Sequence, residues 1–270
     1  MMRAYVEGIG LRGPGLDGWE SSRAILAGLE AYVPAATNLA AGDLLPPNER
    51  RRAGAPIKLA VAAGAEAFAR ARRLAAQTAT VFSSSGGDNE NVHAICEILA
   101  TAPGEVSPTR FHNSVHNAVA GYWGIAAQSR EPSTSLCGYD SSFAVGLLDA
   151  VAQVAADNVP VALLAYDHPY VEPLASVRQI EGNFGAALVL TPARSEHSIA
   201  RLEVKFVPAP KAAATVRDAG LEQVRSRNPA ARCLPLLAAL ARIELEGGAT
   251  DSLALGYLGD CHLDVAVLPC

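Results

Sequence analysis

The sequence predicts a layered α/β fold with at least partly parallel strands, and three observations carry that prediction. Short apolar runs bounded by Gly and Pro alternate with amphipathic stretches of helical period through most of the chain. At 270 residues and 50 % hydrophobic composition there is ample core for one large domain or two small ones. No short fixed-period repeat, low-complexity tract or obvious linker divides the chain, so residues 1–270 are taken as one domain.

In chain order, "RAYVEGIGL" (3–11) reads as a strand ending in Gly/Pro turn signals, and Trp19 to Leu29 as a short helix with Gly28 near its end. "VPAATNLAAGDLLPPNERRRAGAP" holds too many breakers for a regular element and is expected to be a long surface connection. From Ile57 to Arg73 apolar residues sit near helical spacing, with Lys58, Glu66, Arg70 and Arg73 on the wetter side. "QTATVFSSSGG" is a strand ending in a glycine turn. Asp88 or Asn89 then caps a helix whose Val92, Ile95, Ile98 and Leu99 form one stripe up to Pro103, and Ser114 to Gln128 reads as a further helix. Strand 134–137, helix 141–157 and the strands "VPVALLAY" and "GAALVLTP" follow. The tail adds strand "ARLEVKFV", helices around 221–227 and 234–246, and strands "SLALGYL" and "HLDVAVL".

Lys+Arg 22 against Asp+Glu 27 leaves a net charge of -5, so no overall field draws the molecule to nucleic acid or an anionic membrane. No stretch reaches membrane-spanning length without Gly, Pro or charge, and the first residues lack the apolar run of a signal peptide. The expected location is the cytoplasm, where the five scattered cysteines are reduced thiols.

The stretch "STSLCGYDSSFAVGLLDA" (133–150) reads as a buried strand, a tight turn and an amphipathic helix. Asp140, just ahead of that helix, has the character of an N-cap. Cys137 reads as a small packed residue. His112 and His116 stand at helical i, i+4 spacing, and His93 and Cys96 form a similar pair, but neither brings the further ligands a metal needs. "SSSGGDNE" lacks the Gly-Lys-Ser/Thr ending of a phosphate loop. No cofactor and no metal are therefore expected.

The order of these pieces resembles the N-terminal half of the β-ketoacyl synthases, condensing enzymes with the thiolase-like layered fold. "RAYVEGIGLRGPGLDGWESSRAILAG" is similar to the family's opening strand, Gly-x-Gly turn and Trp-bearing helix. "VFSSSGGDNENVHAI", "SPTRFHNSVHNAVAGYWGI" and "EGNFGAALVLTP" resemble its later turns, helix and strand. The resemblance runs from residue 3 to about 192 and implies a complete ketosynthase N-terminal half (1–192) with a shortened C-terminal part (193–270). The family's elbow is Ser-x-Ser-x-x-x-x-Cys-x-Ser. Ser133, Ser135 and Ser142 match its serines, and Asp140 falls on the nucleophilic cysteine. Cys137, three residues upstream on the strand, does not replace it, and the family's His-Gly-Thr motif is missing. His262 has neither the spacing nor the neighbours of a catalytic histidine.

The resemblance thus implies a degenerate acyl site at Cys137, Tyr139, Asp140, Ser141 and Phe143, with no catalytic residue. It implies a non-catalytic, chain-length-factor-like subunit of fatty acid or polyketide synthesis, of the aryl polyene type. Its partner is a catalytic ketosynthase, met along Ser133, Thr134, Ser135 and Leu136. An acidic acyl carrier protein is a further possible partner, received on Arg50, Arg51 and Arg52 or on Arg70, Arg72 and Arg73. Two alternatives stay open. One is a stand-alone decarboxylase or hydrolase of acyl-carrier thioesters, with Asp140 or Cys137 in a rebuilt site and His116 as base. The other is a homodimeric acyl-binding protein, which requires that Phe143 and Tyr139 leave the elbow cavity open.

Overall fold

The chain lays down β1 (Met2–Gly13), β2 (Leu16–Asp17), α1 (Trp19–Ala27), α2 (Pro47–Arg52), α3 (Ala55–Ala71), β3 (Ala79–Ser83), α4 (Asn89–Thr101), α5 (Pro108–Asn113), α6 (Ala118–Ala127) and β4 (Ser133–Leu136). It continues with α7 (Ser142–Asp157), β5 (Val161–Asp167), α8 (Leu174–Val177), β6 (Phe184–Thr191), β7 (Ala200–Val207), α9 (Ala219–Arg227), α10 (Leu234–Glu246), β8 (Asp251–Gly256) and β9 (His262–Pro269). The computed structural model describes residues 1–40, 44–101, 104–248 and 250–270.

All the strands belong to one mixed sheet of order β4-β3-β5-β6-β1-β7-β9-β8, with β2 folded back on the end of β1. β4 and β5 flank β3 in parallel, as the intervening helices require, whereas β6 runs antiparallel to both β5 and β1. β1 joins the two parts of the sheet: its first residues, Met2 to Val6, pair with β7, and Tyr5 to Arg12 pair with β6. The register shifts between Val6 and Gly8, and such a bulge lets one strand serve partners along different stretches.

β5 is buried along its whole length. Its period of two sends Val161, Leu163 and Ala165 into one core and Ala162, Leu164 and Tyr166 into the other. The larger core lies under α7 and α10, which pack against the strands from β5 to β9. The smaller lies under α3 and α6. The alanine-rich α3 rides directly on β1, so close that a Cβ on Gly10 would stand 1.9 Å from the Ala63 carbonyl oxygen and one on Gly8 2.0 Å from that of Ala67. On β7 the buried Ala200, Leu202 and Val204 alternate with the wetter Arg201, Glu203 and Lys205. The outer side of these C-terminal strands is thus a solvated, ion-paired surface, with Arg3 and Arg201 each 3.5 Å from Glu203.

Several sequence expectations change. The 33–56 connection contains the short helix α2 and buries Leu45, while its residues 41–43 lie outside the described residues. The helix expected over 114–128 begins only at Ala118. Ahead of it the Ser114 hydroxyl donates to the Phe111 carbonyl at 2.8 Å and closes α5 in a turn. Asp88 does cap α4, accepting from the Asn91 amide at 3.1 Å, but the α4 stripe lies partly open, with Val92 and Leu99 exposed; Pro103 is outside the described residues. Glu66, Arg70 and Arg73 are not simply solvated. Glu66 accepts from the Leu11 amide and Arg12, Arg70 binds Glu20 and Glu244, and Arg73 binds Glu7. Among the described residues no helix is long and apolar enough to cross a membrane.

The packing of α3 on β1 yields a test. Gly10→Ala should destabilise the protein by about 3 kcal/mol through overpacking against helix backbone, read as a lower urea midpoint at unchanged slope. An unchanged midpoint would show that the two elements do not approach so closely.

Candidate functional site

The elbow stands at the carboxyl ends of the parallel strands β4, β3 and β5, where open α/β sheets expose residues for binding or chemistry. β4 ends at Leu136, and Gly138 turns the chain where a Cβ would meet the Val145 side chain at 2.6 Å. Tyr139 follows with φ 54, a left-handed conformation that costs a non-glycine residue roughly 1 to 3 kcal/mol. Ser142, buried at the start of α7, braces the turn: its hydroxyl accepts from the Gly138 amide at 3.1 Å and donates to the Tyr139 carbonyl at 2.7 Å. The Ser83 hydroxyl at the end of β3 donates to the Ser142 carbonyl, tying helix to sheet.

Asp140 does not cap the helix. α7 is preceded by Ser141, whose side chain makes no capping hydrogen bond. The Asp140 carboxylate turns instead toward two arginines. Oδ1 lies 2.7 Å from Arg178 Nη1 and Oδ2 lies 3.0 Å from Arg232 Nη2. Arg178 follows α8, and Arg232 sits in the helical turn Ala230–Cys233 ahead of α10, so one carboxylate joins three segments. Two guanidinium charges outweigh the orphan amides of a helix end, which explains the exchange of partners. Arg178 also donates to the Ser85 hydroxyl at 2.9 Å, and its guanidinium lies 3.6 Å from the centre of the Tyr139 ring. That stacking offsets part of the strain at Tyr139.

The five residues expected to form the degenerate acyl site are therefore brought together, but in different environments. Phe143 is 2 % exposed and belongs to the main core, whereas Tyr139 is 61 % exposed and lies under Arg178. The cavity bounded by Asp140, Ser141, Phe143 and Arg232 holds only about 20 Å³, far too little for an acyl chain. Cys137 is exposed and not packed as expected, because β4 ends just before it at the sheet's edge; its thiol donates to the Ser85 carbonyl at 3.1 Å. Ser133 to Leu136 likewise form a half-exposed edge strand where a buried one was expected, since only β3 pairs with it.

His112 lies in the last turn of α5, and His116 in the turn beyond, with its Nε2 3.3 Å from the Ser84 carbonyl, so the two do not share a helix. His93 faces Glu97 at 3.3 Å. Among the described residues no group of three or more His, Cys, Asp or Glu side chains is placed to hold a metal ion. His262 is buried in β9 between the Ala209 carbonyl, 2.6 Å from Nδ1, and Asp264, 3.2 Å from Nε2.

Sequence reasoning missed Asp167 and His168 beside the elbow. Asp167 is 2 % exposed and accepts from the Ser84 hydroxyl at 3.0 Å and the Ser85 amide at 2.8 Å. Burial raises its pKa to about 7, against the opposing pull of those hydrogen bonds. His168 Nε2 stands 3.0 Å from Asn89 Nδ2 and 3.2 Å from the Gly87 carbonyl, and burial lowers its pKa. The available signal was a polar Asp-His pair closing the otherwise apolar run "VALLAYDHP".

Residues 22–246 match the family model "Beta-ketoacyl synthase, N-terminal domain". No curated protein matches the chain. Among solved structures it is similar to a chain of the ketosynthase ApeO in complex with its chain length factor ApeC from Xenorhabdus doucetiae, at 21 % identity and TM-score 0.73, over 98 % of this chain and 100 % of that one. The ishigamide ketosynthase/chain length factor aligns at 16 % identity and TM-score 0.72, over 100 % of this chain and 99 % of that one. AntDE:AntF, a type II acyl-carrier protein in complex with its ketosynthase bound to the hexaketide, aligns at 10 % and 0.75, over 100 % and 99 %. These likenesses establish the thiolase-like ketosynthase fold.

Asp167 yields a prediction of sign. Unfolded, its carboxyl ionises near 3.8; folded, near 7. Between those values the unfolded chain gives up its proton first, so this residue's contribution makes stability fall as pH rises, with the whole loss present above about pH 7. Asp167→Asn keeps an acceptor for Ser84 and Ser85 and should remove that slope, leaving the variant a few kcal/mol less pH-sensitive than the parent. Urea unfolding at several pH values from mildly acidic to neutral reads the difference, and parallel curves would show that Asp167 is ionised in the fold.

Proposed function

We propose that this chain, which belongs to the β-ketoacyl synthase N-terminal domain family, is a non-catalytic member of it: a chain-length-factor-like subunit that pairs with an active ketosynthase. The observation that carries the reading is Asp140. Where the elbow pattern places a cysteine, this chain has a carboxylate whose two oxygens are each taken by an arginine. Condensation needs a thiolate that becomes a thioester. A carboxylate is a poor nucleophile for that exchange and would give a far more reactive mixed anhydride, and two guanidiniums draw its charge away further. Cavity volume points the same way: about 20 Å³ at the elbow leaves no room to hold an acyl chain.

The edge of β4 is the surface for the partner. The amides of Thr80 on β3 and of Ser84 just beyond it bond to the carbonyls of Pro132 and Leu136, so strand alternation turns the backbone of Ser133 and Ser135 outward, unpaired and ready to accept another strand. Beside it α6 offers Gly121, where a Cβ would meet nothing within 4 Å, and Gly124, where the nearest atom would stand 3.5 Å away. Two of the similar structures are of a ketosynthase with a chain length factor, in keeping with such a pairing. In this reading residues 1–192 are the family's first half and 193–270 an abbreviated remainder. Polyketide or fatty acid assembly of the aryl polyene type is the setting. An acyl carrier protein docks, in this reading, on the basic run Arg50, Arg51 and Arg52 that ends α2.

Co-expressed with the ketosynthase of its own host, the chain should elute as a stoichiometric heterodimer, and separate elution counts against the reading. Ser135→Pro, which deletes an outward amide and no bond to β3, should abolish co-elution while leaving the melting temperature of the lone chain nearly unchanged. Incubated alone with acyl donors, the protein should show no stable covalent adduct by intact mass, at Cys137 or elsewhere.

A further inference from the structure

The elbow holds more positive charge than the elbow uses. Arg178 and Arg232 reach it from segments far apart in sequence, with side chains only 17 % and 35 % exposed, and each places a terminal nitrogen on the same carboxylate. Among the described residues the Arg232 side chain has no other hydrogen-bond or ion-pair partner. The Nε atoms of both arginines are buried without partners. A third arginine, Arg225, borders the cavity, but its guanidinium is engaged by Glu222. The 16-residue helix α7 directs its positive end to the same place, and its Ncap residue Ser141 adds no side-chain cap. Two fixed cations and a helix end thus face one anion. That anion is supplied by the chain.

The geometry specifies its chemical class. One oxygen goes to each guanidinium, at 2.7 and 3.0 Å, a bridging arrangement that suits a planar, two-oxygen anion. Size excludes bulkier ones, because the adjoining cavity is about 20 Å³. Truncating the Asp140 side chain opens space for a group no larger than the one removed.

We propose that the elbow is an anion site filled from within: Asp140 is the built-in ligand of an Arg178–Arg232 cradle, and the same cradle takes a small external monocarboxylate once that side chain is removed. In the intact protein the tethered carboxylate outcompetes free ones through its high effective concentration, so the site is closed to carboxylate ligands. The inference goes beyond the pairing function and does not rest on it, since it concerns an ion site of the chain alone.

The test uses Asp140→Ala with formate and acetate as probes and chloride at matched ionic strength as control. The variant should melt several degrees below the parent. Acetate or formate at tens of millimolar should restore most of that loss, chloride should not, and the parent should be indifferent to all three. Asp140→Ala combined with Arg232→Gln should lose the carboxylate response. Equal effects of chloride and acetate, or an undiminished response in the double variant, would overturn the proposal. Should Asp140→Ala fail to fold in ordinary buffer, refolding in acetate but not in chloride supports the cradle, and failure in both refutes it. None of these outcomes touches heterodimer formation, which co-elution reads separately.

Discussion

One carboxylate between two arginines sets the state of the elbow. Asp140 and its partners are partly open to water, so their Coulomb attraction is screened, and exposed pairs of this kind contribute about 0 to 1 kcal/mol each. Their importance is positional. The ion pairs hold the segment after α8 and the turn before α10 against a strand-to-helix turn that contains a strained tyrosine. With Arg178 also bonded to Ser85 and stacked on Tyr139, the turn is fixed from both halves of the chain.

The rest of the fold makes that convergence possible. β1 spends its first half on β7 and its second on β6, joining the ketosynthase-like sheet to the three C-terminal strands without a break. α3 can lie on β1 because glycines at 8 and 10 leave its backbone room to descend. α7 and α10 then fill one face of the combined sheet, and the turn that begins α10 carries Arg232 to the elbow. On the far side of β7, charged residues at alternate positions suit water and not a further packed layer.

Function follows from what is kept and what is exchanged. In the proposed reading the strand, glycine turn and helix of the family's elbow remain, and a carboxylate that two cations hold in place stands at the cysteine position of its pattern. Beside them Asp167 is buried with its pKa raised to about 7, so that near neutral pH it passes between its neutral and charged forms, and burial disfavours the cationic form of His168. What stays exposed is an unpaired strand edge flanked by small residues, a surface better suited to a second protein than to chemistry.

The sequence by itself determined the order and type of nearly every element, the layered α/β class, and the aspartate at the elbow, because period, turn residues and a motif's spacing are local quantities. Helix α10 was legible to the residue and β1 nearly so. Less visible was the break at Ser114, where a side-chain hydroxyl competes with the helix ladder. Only the tertiary structure decided that Asp140 binds arginines and not helix amides, that Cys137 is exposed, that Phe143 is core while Tyr139 is not, and that Asp167 lies beside the site. Arg232 is 92 residues from Asp140, and a meeting over that separation depends on the order of strands in the sheet, which hydrophobic periodicity does not encode: it tells which face of an element is buried, not against what.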